Sequence, residues 1–238
     1  MDQLKDMISR MKLYSKEAPK RDYKCSTCRD QGYFKDEETN QMILCECEKK
    51  KRAKKRMEKQ GFKKGVMTLK DFNIDDQISK RMKAIAERYI ENYPSGSLAV
   101  MGQVGAGKTH LIIGVAQELI DKGHSVTYMP YVDMMMQLRQ SIFNFEAYEK
   151  IMNDLKKCEL LVIDDFLKGN ILPNDLSIIF ELINYRYLNQ LNFVISSEKL
   201  LDEIIQIDEA LGTRISQVTK GYRVQVKKDA KRNKRIVE

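Results

Sequence analysis

The stretch Gly102-Gln103-Val104-Gly105-Ala106-Gly107-Lys108-Thr109 fits G-x-x-x-x-G-K-[ST], the phosphate-binding P-loop, and it constrains the fold more than any other stretch of the chain. Three glycines let the backbone turn tightly and approach a phosphate with no Cβ in the way. Successive N–H groups, with those of Gln103, Val104 and Ala106 among them, then form an anion nest. The pattern assigns Lys108 to the β- and γ-phosphates of a nucleotide and the Thr109 hydroxyl to Mg²⁺. Its flanks agree. Residues 97–101 read as a short buried strand, and residues 108–122 read as a helix whose N-terminus faces the phosphates.

A P-loop needs a parallel sheet around it, and the rest of the chain supplies the parts. Residues 126–129, 159–163 and 192–198 are apolar, strand-length runs, and residues 222–226 alternate as an edge strand. Helical patterns separate them, over residues 174–190, 200–207 and 209–219, with Gly123 as a left-handed cap after the P-loop helix. Ile78, Met82, Ile85, Ala86 and Tyr89 mark a further helix before the P-loop strand. Strands alternating with helices imply an α/β fold with a three-layer parallel sheet.

Glu159-Leu160-Leu161-Val162-Ile163-Asp164-Asp165 is the second strong motif: an apolar strand ending in two carboxylates, 56 residues after Lys108. This is the Walker B pattern. Asp164 is expected to hold Mg²⁺ and Asp165 to polarise the attacking water, with a reach one methylene shorter than the usual Glu. Residues 132–144 and 146–157 read as two helices around Phe143, Asn144 and Phe145. Phe143, Phe145 and Tyr148 fit either a core or a base-stacking surface.

Ahead of this core, Cys25-Ser26-Thr27-Cys28 and Cys45-Glu46-Cys47 enclose 16 residues. Residues 32–34 and 42–44 look like a hairpin that would bring the two pairs together. Four thiolates can close a tetrahedral Zn²⁺ site with no open position for water, so the site would be structural; four free thiols are the alternative. Leu4, Met7, Ile8 and Met11 share one face of a short helix. The run from Lys49 to Arg56 is a basic helix that would contact phosphates or an acidic partner, or serve as a solvated linker. Gly61 and Gly65 punctuate the chain, so residues 1–60 and 61–238 are read as two domains.

The 238 residues carry 42 Lys and Arg against 34 Asp and Glu, a net charge of +8, more than a nucleotide alone requires and suited to nucleic acid. No apolar run approaches a bilayer span and no signal-peptide core begins the chain, so a cytoplasmic protein without membrane contact is expected.

Together these motifs resemble the helicase-loader ATPases of the DnaC/DnaI type, especially short phage-type members. These belong to the AAA+ class and are close to IstB transposition helpers. The resemblance is carried by residues 102–109 and 160–165, by Ile195-Ser196-Ser197-Glu198, and by the run from Ile207 to Ile215. The cysteine pattern is similar to the zinc-bearing N-terminal domain of DnaI-like loaders, which IstB helpers lack. The resemblance implies a switch-like ATPase that uses ATP, Mg²⁺ and Zn²⁺. Its partners would be the replicative hexameric helicase and single-stranded DNA, with self-association in the ATP state. It implies further that Arg214 resembles an arginine finger for a neighbouring subunit's γ-phosphate and Arg235 a sensor-II arginine acting in cis. Ser197 and Glu198 stand where many relatives have Ser-Asn as sensor I, so Glu198 departs from the pattern. The insert over residues 132–157 corresponds to a motif that lines single-stranded DNA. Two other readings are an IstB-type transposition or recombination helper and a small P-loop metabolite kinase. The kinase would need an arginine-bearing lid that the sequence does not offer.

Overall fold

The computed structural model describes residues 22–59 and 66–227. The helix expected around Leu4, Met7, Ile8 and Met11, the glycines at 61 and 65, the boundary between residues 60 and 61, and Arg235 all lie outside the described residues. The chain divides into two compact units, Met1–Glu48 and Lys49–Glu238.

The described part of the first unit is a two-stranded hairpin. Strands β1 (Tyr33–Lys35) and β2 (Met42–Leu44) pair antiparallel, with Phe34 opposite Ile43. Asp36 builds the turn: its carboxylate accepts from the Thr39 N–H at 2.7 Å and its carbonyl from the Asn40 N–H at 3.0 Å, with Asn40 at φ 57°. Asn is among the few residues that adopt this left-handed conformation readily. Helix α1 (Glu46–Lys59) starts directly after Cys45, so Cys47 lies in its first turn rather than in a loop before it.

The second unit continues with α2 (Gln77–Glu91), β3 (Leu98–Gly102), α3 (Lys108–Asp121), β4 (Val126–Pro130), α4 (Tyr131–Ser141), α5 (Phe145–Lys157) and β5 (Leu160–Asp164). Then come α6 (Pro173–Leu188), β6 (Phe193–Ser197), α7 (Leu201–Ile207), α8 (Glu209–Val218) and β7 (Arg223–Val226). The strands form one parallel sheet in the order β4-β5-β6-β3-β7. Strands β3, β5 and β6 are buried along their whole length, as expected where helices cover both faces.

Alternation along the strands divides the core into two layers. Leu98, Val100, Val126, Val162 and Val194 face α2 and α3, meeting Met82, Ala86, Leu111 and Leu119. Ala99, Met101, Leu161, Ile163 and Ile195 face the other way, onto Met134, Leu138, Leu155, Ile179, Leu182 and Ile215. Each fully buried Leu or Ile contributes roughly 1.5–3 kcal/mol, so these layers supply the main driving force for folding. The three-layer parallel sandwich is the one expected from sequence.

Helix ends are specified locally. Asp76 caps α2 through the Ser79 N–H, and the Ser79 hydroxyl accepts from the Asp76 N–H at 3.0 Å. After α3, Gly123 at φ 104° lets its own N–H reach the Ile120 carbonyl and the His124 N–H reach that of Leu119, a left-handed glycine cap.

Candidate nucleotide and metal sites

The P-loop leaves the carboxyl end of β3 and enters α3. Gly102, at φ 105°, ends the strand; a Cβ there would lie 2.0 Å from the Val226 carbonyl oxygen on β7. No side chain can occupy that position without displacing a neighbouring strand. Gly105 and Gly107 also have positive φ, 77° and 84°. Gly107 is the N-cap of α3 and supplies no side-chain acceptor, which leaves the first-turn N–H groups for an anion. Lys108 is buried, and its ammonium donates to the Gly102 and Gln103 carbonyls, each at 2.8 Å. These contacts offset the cost of burying the charge.

The sheet order brings the Walker B carboxylates to this loop. β5 lies between β4 and β6, and β6 lies beside β3, so the buried Asp164 at the end of β5 can meet residues from β4, from β6 and from α3. Its Oδ1 accepts from the Thr109 hydroxyl at 3.1 Å and from the Ser196 hydroxyl; its Oδ2 accepts from the Tyr128 hydroxyl of β4 at 2.8 Å. Burial raises the Tyr128 pKa and the adjacent Asp164 charge raises it further, so this phenol remains a donor. Asp165 has φ 54°. Its N–H is shared between Asp164 Oδ1 at 3.1 Å and Ser196 Oγ at 2.9 Å. Its side chain pairs with Lys168 at 2.8 Å, and the same ammonium lies 3.0 Å from Glu198. The Asp165 and Glu198 hydrogen bonds, in that order, raise the Lys168 pKa.

Thr109, Asp164 and Asp165 therefore lie together, next in the chain to Lys108, along with three further residues that the sequence did not reveal: Ser196, Tyr128 and Lys168. At the end of β6 it is Ser196 that meets the carboxylates. Ser197 is turned away, its hydroxyl donating to the Phe166 carbonyl at 2.8 Å. Arg214 lies within α8, away from this cluster. It donates to Asn184 at 2.8 Å and to the Ala210 carbonyl, and its guanidinium sits 4.7 Å above the Phe180 ring.

The insert rings separate. Phe143, between α4 and α5, is 98% exposed and Phe145, the first residue of α5, is 75% exposed, which rules out a core role for both. Tyr148 instead packs against the second core layer and reaches Glu181.

In the first unit, the Sγ atoms of Cys25, Cys28, Cys45 and Cys47 all lie within 4.8 Å of one another. Cys25 to Cys45 is 3.7 Å and Cys28 to Cys47 is 3.3 Å. A tetrahedral zinc with bonds of about 2.3 Å needs sulfurs about 3.8 Å apart, so the set is compatible with zinc. The Cys28 backbone N–H and then the Cys47 thiol lower the Cys25 pKa to about 6, while the hydrogen bond with Cys28 and then burial push that of Cys47 up. The asymmetry is that of four crowded thiols in which one thiolate is stabilised by its neighbours.

Over residues 3–237 the chain matches the family described as IstB-like ATP binding protein. It belongs to that family. A relative is the protein YqaM of Bacillus subtilis, 35% identical over 201 residues, which cover 78% of this chain and 63% of that protein. Another is the phage-like element PBSX protein XkdC of the same species, 30% identical over 86% of this chain and 83% of its own length. The replicative helicase loader DnaC of Escherichia coli is 32% identical over a shorter stretch, 34% of each chain. Among solved structures, the DnaC helicase loader has a TM-score of 0.57 at 18% identity, covering 69% of this chain and 98% of that one. DnaI has a TM-score of 0.56 at 20% identity, covering 72% and 94%. The chain spans about half of a DnaA bound to AMPPCP and single-stranded DNA, with a TM-score of 0.59 at 22% identity. By family the chain is an IstB-like ATP binding protein, and its fold is that of the DnaC and DnaI structures. Among the described residues no helix is long and apolar enough to cross a membrane.

Proposed function

We propose that the chain is an ATP-switched helicase loader, which binds a replicative hexameric helicase and helps place it on single-stranded DNA. The observation that carries this reading is the convergence of four cysteines in the first unit of a chain whose second unit is an AAA+ ATPase. The likeness to DnaC and DnaI supports it, and the +8 charge suits a nucleic-acid partner. An IstB-type transposition helper remains the second reading, favoured by the family match and opposed by the cysteine cluster.

In this reading Lys108 and the P-loop N–H groups hold the phosphates, Thr109 and Asp164 hold Mg²⁺, and Asp165 orients the attacking water. Bound Mg²⁺ would neutralise charge developing on the phosphates. The donors around Asp164 fix its carboxylate so that little reorganisation is needed. Arg214 would serve a neighbouring copy's nucleotide only after leaving Asn184 and Phe180, which links hydrolysis to self-association. Phe143 and Phe145 offer two unburied rings for base stacking, worth about 1–3 kcal/mol per base.

Zn²⁺ held by Cys25, Cys28, Cys45 and Cys47 would fold the first unit, which is too small to bury a sufficient core unaided. Structural zinc supplies on the order of 10 kcal/mol in small peptides. The helicase would grip the domain of residues 1–60, the smaller of two, which contains this unit. The test is Cys25→Ser combined with Cys28→Ser in the full chain. Loss of one zinc equivalent and of helicase capture, with nucleotide affinity within about twofold of wild type, is expected because the P-loop lies in the other unit. A double variant that still captures the helicase would overturn the docking role, and wild-type protein without zinc would overturn the metal site.

A further inference from the structure

The loop after β5 is built more tightly than a surface connection requires. Asp165 and Leu167 have φ 54° and 58°, and Gly169 has φ 85°. Two non-glycine residues in the left-handed region cost of order 1 kcal/mol or more each, and such strain persists only where the surroundings enforce it. Those surroundings are visible. Phe166 and Leu167 are almost fully buried, the Phe166 N–H donates to the Ser196 carbonyl at 2.7 Å, and the Phe166 carbonyl accepts from Ser197. The Lys168 N–H closes a turn onto the Asp165 carbonyl at 3.0 Å. Two buried anchors and a closed turn thus send the Lys168 side chain back toward the sheet edge. There it bridges Asp165 on the β5 side at 2.8 Å and Glu198 on the β6 side at 3.0 Å.

The charges explain why a cation belongs at this point. Asp164, Asp165 and Glu198 bring three carboxylates to the ends of β5 and β6, and Asp164 is one hydrogen bond from the P-loop through Thr109. A nucleoside triphosphate adds further negative charge in the same region, and like charges at close range repel. Lys108 lies at the start of α3 and serves the P-loop side. Across the sheet edge, Lys168 is the cation bonded to both Asp165 and Glu198. Its ammonium is compact and sits on a flexible four-carbon stem, so it can move between carboxylate and phosphate partners without moving the backbone.

We propose that Lys168 is the cation that reads the γ-phosphate in this ATPase, and that Glu198 is the residue that positions it. With a diphosphate, Lys168 stays on its two carboxylates. With a triphosphate, it turns to a γ-phosphate oxygen and frees the Asp165 carboxylate to accept a hydrogen bond from water. The oxygen of that water then bonds to phosphorus, the bridging P–O bond to ADP breaks, and the proton passes by way of Asp165 to the released phosphate. Recognition of the third phosphate and release of the catalytic carboxylate are therefore one movement. The proposal rests on the assignment of Lys108, Thr109 and Asp164 to Mg-ATP.

The test compares ADP with a β,γ-imido ATP analogue by titration calorimetry, together with steady-state hydrolysis, using the full chain. Lys168→Ala should weaken the triphosphate analogue about tenfold, the loss of one charge-assisted contact, and change ADP affinity less than about twofold. Its kcat should fall by about tenfold or more. Lys168→Arg should keep part of the preference for the triphosphate. Adding Glu198→Gln to Lys168→Ala should recover about threefold or more of the lost triphosphate affinity, because it removes a carboxylate left uncompensated. A merely structural ion pair leaves the ratio of triphosphate to diphosphate affinity unchanged in Lys168→Ala. An unchanged ratio of triphosphate to diphosphate affinity in Lys168→Ala would overturn the reading role. Absence of recovery in the double variant would overturn the part given to Glu198. Wild-type protein that binds neither nucleotide would instead overturn the P-loop assignment beneath the proposal, and the ADP titration separates the two failures.

Discussion

Replacing Ser196 by Ala removes one fully buried hydroxyl and tests how the two Walker B carboxylates are held. The hydroxyl donates to Asp164 Oδ1 and accepts the Asp165 N–H at 2.9 Å. A hydrogen bond to a charged group contributes about 1.5–3 kcal/mol net. Part of that is recovered here, since Asp164 keeps its bonds from Thr109, Tyr128 and the Asp165 N–H. The expected cost to stability is therefore about 1–2 kcal/mol, at the lower end of that range. The kinetic effect should be larger than this suggests, because Ser196 fixes Asp164 relative to Asp165. A fall in kcat of about tenfold, equivalent to about 1.4 kcal/mol, is expected with nucleotide affinity nearly unchanged. Ser197→Ala is the matched control. Its hydroxyl is equally buried but bonds the Phe166 carbonyl and the Lys199 N–H, so it should cost similar stability and leave kcat within about threefold. Urea unfolding and steady-state hydrolysis of both variants decide the matter. Unchanged kcat in Ser196→Ala, or a larger fall in Ser197→Ala, would refute this account of the site.

Arg186 is fully buried and donates to the carbonyls of Leu155, Lys156, Cys158, Glu159 and Asn192; Arg186→Met should lower unfolding stability by about 3–5 kcal/mol, and a loss below about 1 kcal/mol would contradict it. For Asp175, burial raises the pKa, but the hydrogen bonds from Arg139 and the Leu172 N–H outweigh it and hold the carboxyl below its ordinary value. A depressed folded pKa contributes stability above the unfolded value of about pH 4 and loses it as pH falls through the folded pKa. Asp175→Asn should thus cost about 1–3 kcal/mol at pH 7, discounted because Arg139 is half-exposed, and the deficit should shrink on acidification; an equal deficit at pH 7 and pH 3 would be inconsistent with it. Phe143→Ala with Phe145→Ala should weaken single-stranded DNA binding by about tenfold or more while leaving the unfolding midpoint unchanged, and undiminished affinity would remove the stacking role.

What could be read from the sequence follows the range of the interactions. The P-loop is a local motif, and its glycines, Lys108 and Thr109 are fixed by neighbours within a few residues. The apolar strands ending at Asp164 and Ser197 were legible as well, because burial on both faces leaves unbroken hydrophobic runs. The cysteine convergence followed from two short pairs joined by one hairpin. The parts that escaped depend on which strands lie side by side. Ser196 rather than Ser197 meets the carboxylates because β6 lies between β3 and β5 and the pleat turns alternate side chains to opposite faces. Tyr128 reaches Asp164 from the neighbouring β4, 36 residues away in the chain. Lys168 carried only a faint local signal, three residues after Asp165, and its second partner, Glu198, lies just beyond the end of β6. The basic net charge did not distinguish it from other lysines. Arg186 looks like an ordinary charged residue on a helix, and only the tertiary structure shows the carbonyls that surround it.

The measurement that bears most directly on the central claim is native mass spectrometry of this protein mixed with its host's replicative hexameric helicase, with and without ATP. The loader account predicts a complex between the helicase ring and copies of this chain, with a stoichiometry or population that changes when ATP is added. Two unassociated proteins under both conditions would contradict it.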